Sequence, residues 1–155
     1  MKRIVSVLCL MALLVTLCAC GSSDTVSRTP AEIADEIFAT QTFQDILTPL
    51  EKDMIADYYW LEDSAIEDAK VYVSGSFSTA EEIAVFKAAS KDDVAAIEKA
   101  IDTRLEDLTL MFESYVPGEM TKISSPVRVT KGTTVVLVLC DDTASCKDQV
   151  NELLK

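Results

Sequence analysis

The sequence has no histidine, and its 155 residues include only four glycines, four prolines and one tryptophan. Histidine is the commonest general base and zinc ligand, so its absence excludes Ser-His-Asp and Cys-His catalysis and most zinc chemistry. So few glycines leave no glycine-rich loop of the kind that cradles phosphate. We therefore predict no cofactor and assign no catalytic or metal-binding residue.

Positive charge is also scarce, because 14 lysines and arginines face 26 acidic residues and the net charge is −12. An acidic surface repels phosphate backbones, which argues against nucleic acid as a partner. Three acidic pairs stand out: Glu81-Glu82, Asp92-Asp93 and Asp141-Asp142. The last two precede predicted helices, where carboxylates cap exposed amides, and no pair follows the calcium-loop pattern.

The first twenty residues have the features of an export signal. Lys2 and Arg3 precede an apolar run from Ile4 to Thr16, and Leu17-Cys18-Ala19-Cys20 follows. The run is too short for a comfortable membrane span, and Ala19 suits a cleavage site. The pattern is similar to a bacterial lipoprotein signal, which is cut between Ala19 and Cys20 and leaves a diacylglyceryl group on the cysteine. The alternatives are an ordinary secretory peptide cut elsewhere and an uncleaved anchor helix.

Two acyl chains hold a protein on a membrane durably, because each buried methylene contributes ~0.8 kcal/mol. We expect residues 1–19 to be removed, residues 20–28 to form a lipidated tether, and residues 29–155 to form a single domain. At ~3.4 Å per residue, the polar stretch 21–28 reaches no more than about 27 Å. The expected location is the extracytoplasmic face of the cell membrane.

Caps and apolar periodicity predict the helices. Thr29-Pro30-Ala31-Glu32 is a capping box that predicts a helix to about Thr40, and 50–55 predicts a second short helix. Apolar residues recur every three or four positions from Val94 to Tyr115, which predicts a long helix. Asp141-Asp142-Thr143 predicts the cap of a final helix.

Four segments are predicted to be strands. Residues 70–74 are rich in β-branched and aromatic side chains, and residues 126–130 alternate between apolar and polar side chains. Residues 133–140 are apolar at both odd and even positions, as in a central strand with both faces covered. Residues 81–88 have helical propensity, but their place between a serine-rich turn and a helix cap favours a strand. The predicted class is α+β, with a four-stranded, mostly antiparallel sheet in the order one, two, four, three. The long and C-terminal helices are expected on one face and the short N-terminal helices on the other.

Several residues have competing interpretations. Cys140 and Cys146 remain as a pair in an exported domain, where they form either a disulfide or two small apolar core residues. Lys87 lies at the end of an apolar strand face, where it either contacts an acidic ligand or covers the sheet with its stem. The ring of Tyr115 is predicted to lie in the apolar stripe of the long helix. Lys87 and Tyr115 are the two tentative binding residues. The cluster Tyr58-Tyr59-Trp60 is interpreted as core.

Three stretches resemble a family of exported bacterial proteins, domain-of-unknown-function family four-three-five-eight. They are Glu82 to Ala88, Phe112 to Pro117, and Val129 to Gly132 leading into Val135 to Val138. Members of that family typically begin with lipoprotein signals and occur mainly in Gram-positive anaerobes, so the resemblance implies the same location here. It also implies a less oxidising surface, which weakens the case for the disulfide. The family has no assigned activity to carry over.

Two classes of function follow from these observations. The first is a binding or scaffold module at the cell envelope, whose partner is an envelope protein or a small ligand. The second is a small hydrolase that uses carboxylates and lysine. A pocket with convergent acids of shifted pKa favours the enzyme, whereas an apolar patch favours the binder. The absence of a catalytic constellation favours the binding module.

Overall fold

The computed structural model describes residues 25–155, which form an α+β fold. The helices within this range are α1 (Pro30–Thr40), α2 (Ile55–Tyr58), α3 (Val94–Tyr115), α4 (Met120–Ser124) and α5 (Thr143–Leu153). Short 3-10 turns at Lys52–Met54 and Pro117–Glu119 lead into α2 and α4, and a third turn at Asp63–Ala65 leads into the sheet. No helix of this range is both long and apolar enough to cross a membrane.

The strands of the described residues are β1 (Leu47–Pro49), β2 (Ile66–Ser74), β3 (Glu82–Ala88), β4 (Val127–Lys131) and β5 (Thr134–Leu139). They form one five-stranded sheet in the order β1-β2-β3-β5-β4, and all neighbouring strands are antiparallel. The strand predicted over 81–88 is confirmed as β3, and the predicted order of the four longer strands is confirmed. Neighbours on both sides override the helical propensity of β3.

The predicted number of strands is wrong, because β1 adds a fifth at the edge of the sheet. This strand has only three residues and ends in Pro49. Proline lacks the amide proton of a ladder and is therefore confined to edge strands and strand ends. Because β1 is short and contains a proline, its sequence is typical of a break between two helices.

The two faces of the sheet bury separate apolar clusters. Alternate residues of the central strands point to opposite faces, so Phe86 and Leu137 contact the cluster under α3, whereas Val85 and Val136 contact the other. The second cluster includes Ile33 and Ile37 of α1 together with apolar residues of α5, namely Cys146, Val150 and Leu153. A central sheet covered on both faces explains the continuous apolar character of β3 and β5.

The predicted distribution of helices over the faces is wrong for α5 and α2, whereas α1 and α3 lie on opposite faces as predicted. The C-terminal helix α5 shares its face with α1, and α3 shares the other face with α2 and α4. The reason is that α1 is short and contacts mainly β2 and β3, which leaves β4 and β5 uncovered on its side of the sheet. Cys140 faces that side at the end of β5, and α5 follows after two residues.

The predicted helix boundaries are confirmed where capping is strong. The Thr29 hydroxyl accepts the amide proton of Glu32, and the Glu32 carboxylate accepts that of Thr29, which completes the capping box of α1. The Asp142 carboxylate accepts from the Ser145 amide at the start of α5.

The β4–β5 turn contains Gly132, whose φ of 60° is a conformation that glycine adopts at low cost.

Candidate binding site

A cavity of about 140 Å³ lies at the end of the sheet where β2 finishes and β3 begins. It is bounded by the β2–β3 loop and by the C-terminal half of α3. Its apolar wall consists mainly of Val73, Phe77, Leu108, Met111 and Phe112. Phe77 and Met111 are largely exposed, so they form the rim, whereas Leu108 and Phe112 are buried.

Glu82 and Arg104 form an ion pair in the cavity lining. Nε of Arg104 donates to Oε2 of Glu82 at 3.1 Å, and Nη2 donates to the same oxygen at 2.8 Å. The other carboxylate oxygen accepts from the hydroxyl of Tyr59, and Arg104 also donates to the hydroxyl of Tyr58. The guanidinium carbon lies 4.4 Å from the centre of the Tyr58 ring. These contacts fix the guanidinium in one orientation.

Burial and the Glu82 charge control the titration of this group. Burial, reinforced by Glu82, raises the pKa of Tyr58 to about 12 and that of the fully buried Tyr59 well above its ordinary value. Burial alone would lower the pKa of Arg104, but the charge and hydrogen bonds of Glu82 outweigh it and raise that pKa. At neutral pH Arg104 is therefore charged, and the phenols of Tyr58, in the cavity lining, and of Tyr59, outside it, are neutral.

A second buried cluster lies beside the cavity and centres on Lys122. Its ammonium is 3.1 Å from both carboxylate oxygens of Glu119, 3.4 Å from Glu81 and 3.5 Å from Asp141. Burial acts to lower the pKa of Lys122, but its hydrogen bond to Glu119 and the charges of Glu81 and Asp141 raise it. The lysine is thus held in its charged form.

The carboxylates of this cluster also fix the neighbouring loops. Glu81 accepts the backbone amides of Gln44 and Asp45, each at 2.9 Å, and Glu119 accepts the amide of Ala80 at 2.8 Å. These bonds tie the 41–46 loop and the β2–β3 loop to the end of the sheet. Carboxylates that accept backbone amides in this way are structural elements of the site.

Asp45 secures the β2–β3 loop from outside. Its carboxylate accepts from the hydroxyl of Ser74 and from the amide and hydroxyl of Ser76, the last two at 3.1 and 2.6 Å. Bonds from Ser74 and Ser76 lower the pKa of Asp45 to about 2. The loop then places Phe77 at the rim with a φ of 57°, a conformation that bulky residues adopt only when their surroundings enforce it.

The polar groups of the site are engaged in hydrogen bonds within the domain. Every buried side-chain nitrogen and oxygen in residues 25–155 has a hydrogen-bond partner, and no group of three metal-ligand side chains occurs in that range. The oxygens of Glu81 and Glu82 are already used by amides, a phenol and a guanidinium. Within the described residues, Arg104 uses Nε and Nη2 for these bonds, and Nη1 makes no hydrogen bond.

The residues predicted from the sequence as binding residues lie outside this cavity. Lys87 is partly exposed at the far end of β3, where its ammonium contacts Glu67 at 2.6 Å. Tyr115 ends α3 with 83% of its surface exposed, so the prediction that its ring lies in the apolar stripe is wrong. The core interpretation of the aromatic cluster is confirmed for Tyr59 and wrong for Trp60, which is 81% exposed.

Cys140 and Cys146 are brought together as buried thiols. A hydrogen bond from Cys146 lowers the pKa of Cys140, and the same bond, with burial, raises the pKa of Cys146. Their proximity agrees with both interpretations of the pair, so the disulfide stays a prediction. Ala19 and Cys20, the predicted cleavage and lipidation residues, lie outside the described residues.

Arg104 and Lys122 were not predicted as site residues, because a lysine or arginine on a helix normally extends into solvent. One signal was present in Glu81-Glu82, an acidic pair that directly precedes the apolar run from Ile83 to Phe86. Buried carboxylates require cationic or amide partners, so such a pair indicates a buried cation elsewhere in the chain.

The comparison with known proteins supports a family assignment. No curated protein and no solved structure matches the chain significantly. A family described as a domain of unknown function (DUF4358) matches residues 42–140, from just before β1 to just after β5. This range contains the whole sheet, helix α3 and the residues that line the cavity. The chain belongs to this family.

Proposed function

We propose that this protein is a lipoprotein anchored to the extracytoplasmic face of the cell membrane through Cys20, and that its domain is a binding module. The export signal over residues 1–20 supports the anchor. The observation that carries the binding function is the cavity of about 140 Å³, where an apolar wall meets the Glu82–Arg104 pair. Ligand pockets typically combine apolar walls with a few fixed polar groups.

The size of the cavity limits what it can hold. An engineered protein cavity of about 150 Å³ binds benzene, so a cavity of similar volume accepts one aromatic ring or one branched aliphatic group. Such a group belongs either to a small ligand or to an apolar side chain of an envelope protein. The cavity is too small for a nucleotide or a sugar chain.

The charge of the site sets the polarity of the ligand. Arg104 offers the N–H donors of Nη1, but Glu82 already neutralises its charge, and Glu81 lies in the same lining. An anionic ligand would meet net repulsion from these carboxylates and from the acidic surface. The preferred ligand is therefore neutral and carries a carbonyl, amide or hydroxyl acceptor next to its apolar group.

Benzamide is a suitable first probe, since it joins one aromatic ring to one neutral amide. We expect benzamide to shift the methyl resonances of Val73, Leu108 and Met111 in NMR spectra of the protein. Benzoate should shift them less because of its charge. If benzamide at high concentration leaves these resonances unmoved, or moves only resonances elsewhere, the proposed site is wrong.

Two exposed neighbours on α3 provide a matched pair of variants. Met111 lies on the cavity rim, whereas Leu110 faces a separate groove formed with α4. Met111→Trp should obstruct the mouth and abolish the benzamide shifts, whereas Leu110→Trp should leave them unchanged. Equal effects of the two substitutions would contradict the assignment of the ligand to this cavity.

A further inference from the structure

The only tryptophan of the chain is held on the surface by a rigid frame. Trp60 is 81% exposed and has a φ of 54°, which is unusual for a bulky residue. The preceding residue, Tyr59, is buried against Phe86 with ring centres 4.9 Å apart, and the amide of Leu61 donates to Ala56 at 2.8 Å. The backbone on both sides therefore forces the indole outward, so its exposure is a built feature of the fold.

Trp60 lies at the end of the domain from which the N-terminal tether leaves. Val26 packs against the cluster under α1, and it lines a hollow with Lys91 and the turn at Gly132. Trp60 lines a separate hollow with Asp93, two residues beyond Lys91. The turn that begins α3 therefore lies between the tether and the indole. The end of β3, where Ala88 pairs with Ile66, belongs to this same end of the sheet.

The length of the tether fixes how far this end can be from the membrane. Five residue steps separate Cys20 from Thr25, the first described residue, and they span no more than about 18 Å when fully extended. Tyr58 lines the near side of the candidate cavity two residues before Trp60, and the cavity extends from there to its rim at Phe77, beyond the end of β2 at the opposite end of the sheet. The six steps from Glu82 to Ala88 correspond to about 20 Å along the strand.

We propose that Trp60 inserts into the headgroup region of the membrane and orients the domain with the Phe77 rim of its cavity facing away from the lipid. This inference rests on the proposed anchor at Cys20. Tryptophan is enriched at membrane–water interfaces because its ring is apolar and its N–H forms hydrogen bonds. The hollow beside Trp60 contains two acidic residues, Glu62 and Asp93, against one basic residue, Lys99, so it gives no net attraction to anionic lipids. The contact is therefore with neutral headgroups and the upper acyl chains.

Because Trp60 is the only tryptophan, its fluorescence reports the contact directly. The full-length lipidated protein would be reconstituted into phosphatidylcholine vesicles brominated on the upper acyl chains, and flotation would measure anchoring separately. We expect a large loss of Trp60 emission compared with unbrominated vesicles, together with a shift of the emission maximum to shorter wavelength. The Cys20→Ser variant should neither float nor lose emission.

A double variant that moves the tryptophan provides the matched control. Phe77 is 67% exposed on the cavity rim, so Trp60→Phe combined with Phe77→Trp places the fluorophore at the far end. This variant should float with the vesicles but keep its emission. Flotation without quenching of Trp60, or equal quenching at both positions, would overturn the membrane contact while leaving the anchor intact. Failure of the native protein to float would instead overturn the proposed function.

Discussion

Replacing Lys122 by methionine tests the role of the buried charge cluster. The side chain of Lys122 is 2% exposed, and its ammonium lies 3.1 to 3.5 Å from Glu119, Glu81 and Asp141. Methionine has a similar length and keeps the apolar contacts of the stem. The substitution therefore removes the charge and the hydrogen bonds and leaves the packing largely in place.

The expected loss of stability is large. A pair of charges at these distances interacts by about 5 kcal/mol at an effective dielectric constant of about 20, and desolvation of the lysine offsets part of it. Breaking a buried ion pair typically costs about 3–5 kcal/mol, because the remaining charges stay buried without a partner. For a domain of this size, we expect the melting temperature to fall by about 10–20 °C.

Urea denaturation followed by circular dichroism measures the free energy of unfolding. Lys147→Met is the matched control, because Lys147 is exposed on α5, and it should change stability little. Adding Glu119→Gln to Lys122→Met should recover part of the loss, since the amide oxygen still accepts from Ala80 while one buried charge is removed. If Lys122→Met and Lys147→Met were equally stable, the cluster would not contribute as described.

Three further predictions concern other parts of the domain. The pKa of Asp45 falls from 3.8 to about 2 on folding, so its contribution to stability is complete above pH 4 and is lost as the pH falls towards 2. Asp45→Asn should therefore make the free energy of unfolding less dependent on pH between 4 and 2. An unchanged acid unfolding curve would contradict this contribution of Asp45. Gly132→Ala should lower the free energy of unfolding by about 1–2 kcal/mol, because the φ of 60° is strained for alanine; urea denaturation would detect it, and a neutral result would refute the strain. With a reductant present, Cys140 and Cys146 of the native protein should react with iodoacetamide far more slowly than after unfolding, since both are buried. Rapid native labelling measured by mass would contradict their burial.

Much of the fold could be predicted because local signals and tertiary packing agree. The capping box at Thr29 and the stripe from Val94 gave correct helix starts, and the apolar run of β5 indicated a central strand. The assignment of α5 to a face could not be predicted, because an apolar stripe shows that a helix packs but does not show which side of the sheet it covers. The short strand β1 has too few residues for a periodicity to appear.

The candidate site was less predictable than the fold. Its polar groups come from positions far apart in sequence, with Glu82 at the start of β3 and Arg104 in the middle of α3. Only the folded chain brings them together, and no local spacing marks the pair. The prediction that Trp60 belongs to the core was wrong for a related reason. The positive φ of Trp60 turns its ring outward, and an aromatic cluster in the sequence does not show which of its residues has such a φ.

Lipidation of Cys20 can be measured directly as the intact mass of the protein purified from its own membrane fraction. We expect a mass equal to residues 20–155 plus a diacylglyceryl group on Cys20, with any further acyl chain on the new N-terminus. A mass that retains Met1, or one that begins at Cys20 without lipid, would contradict the membrane anchor on which the proposed function depends.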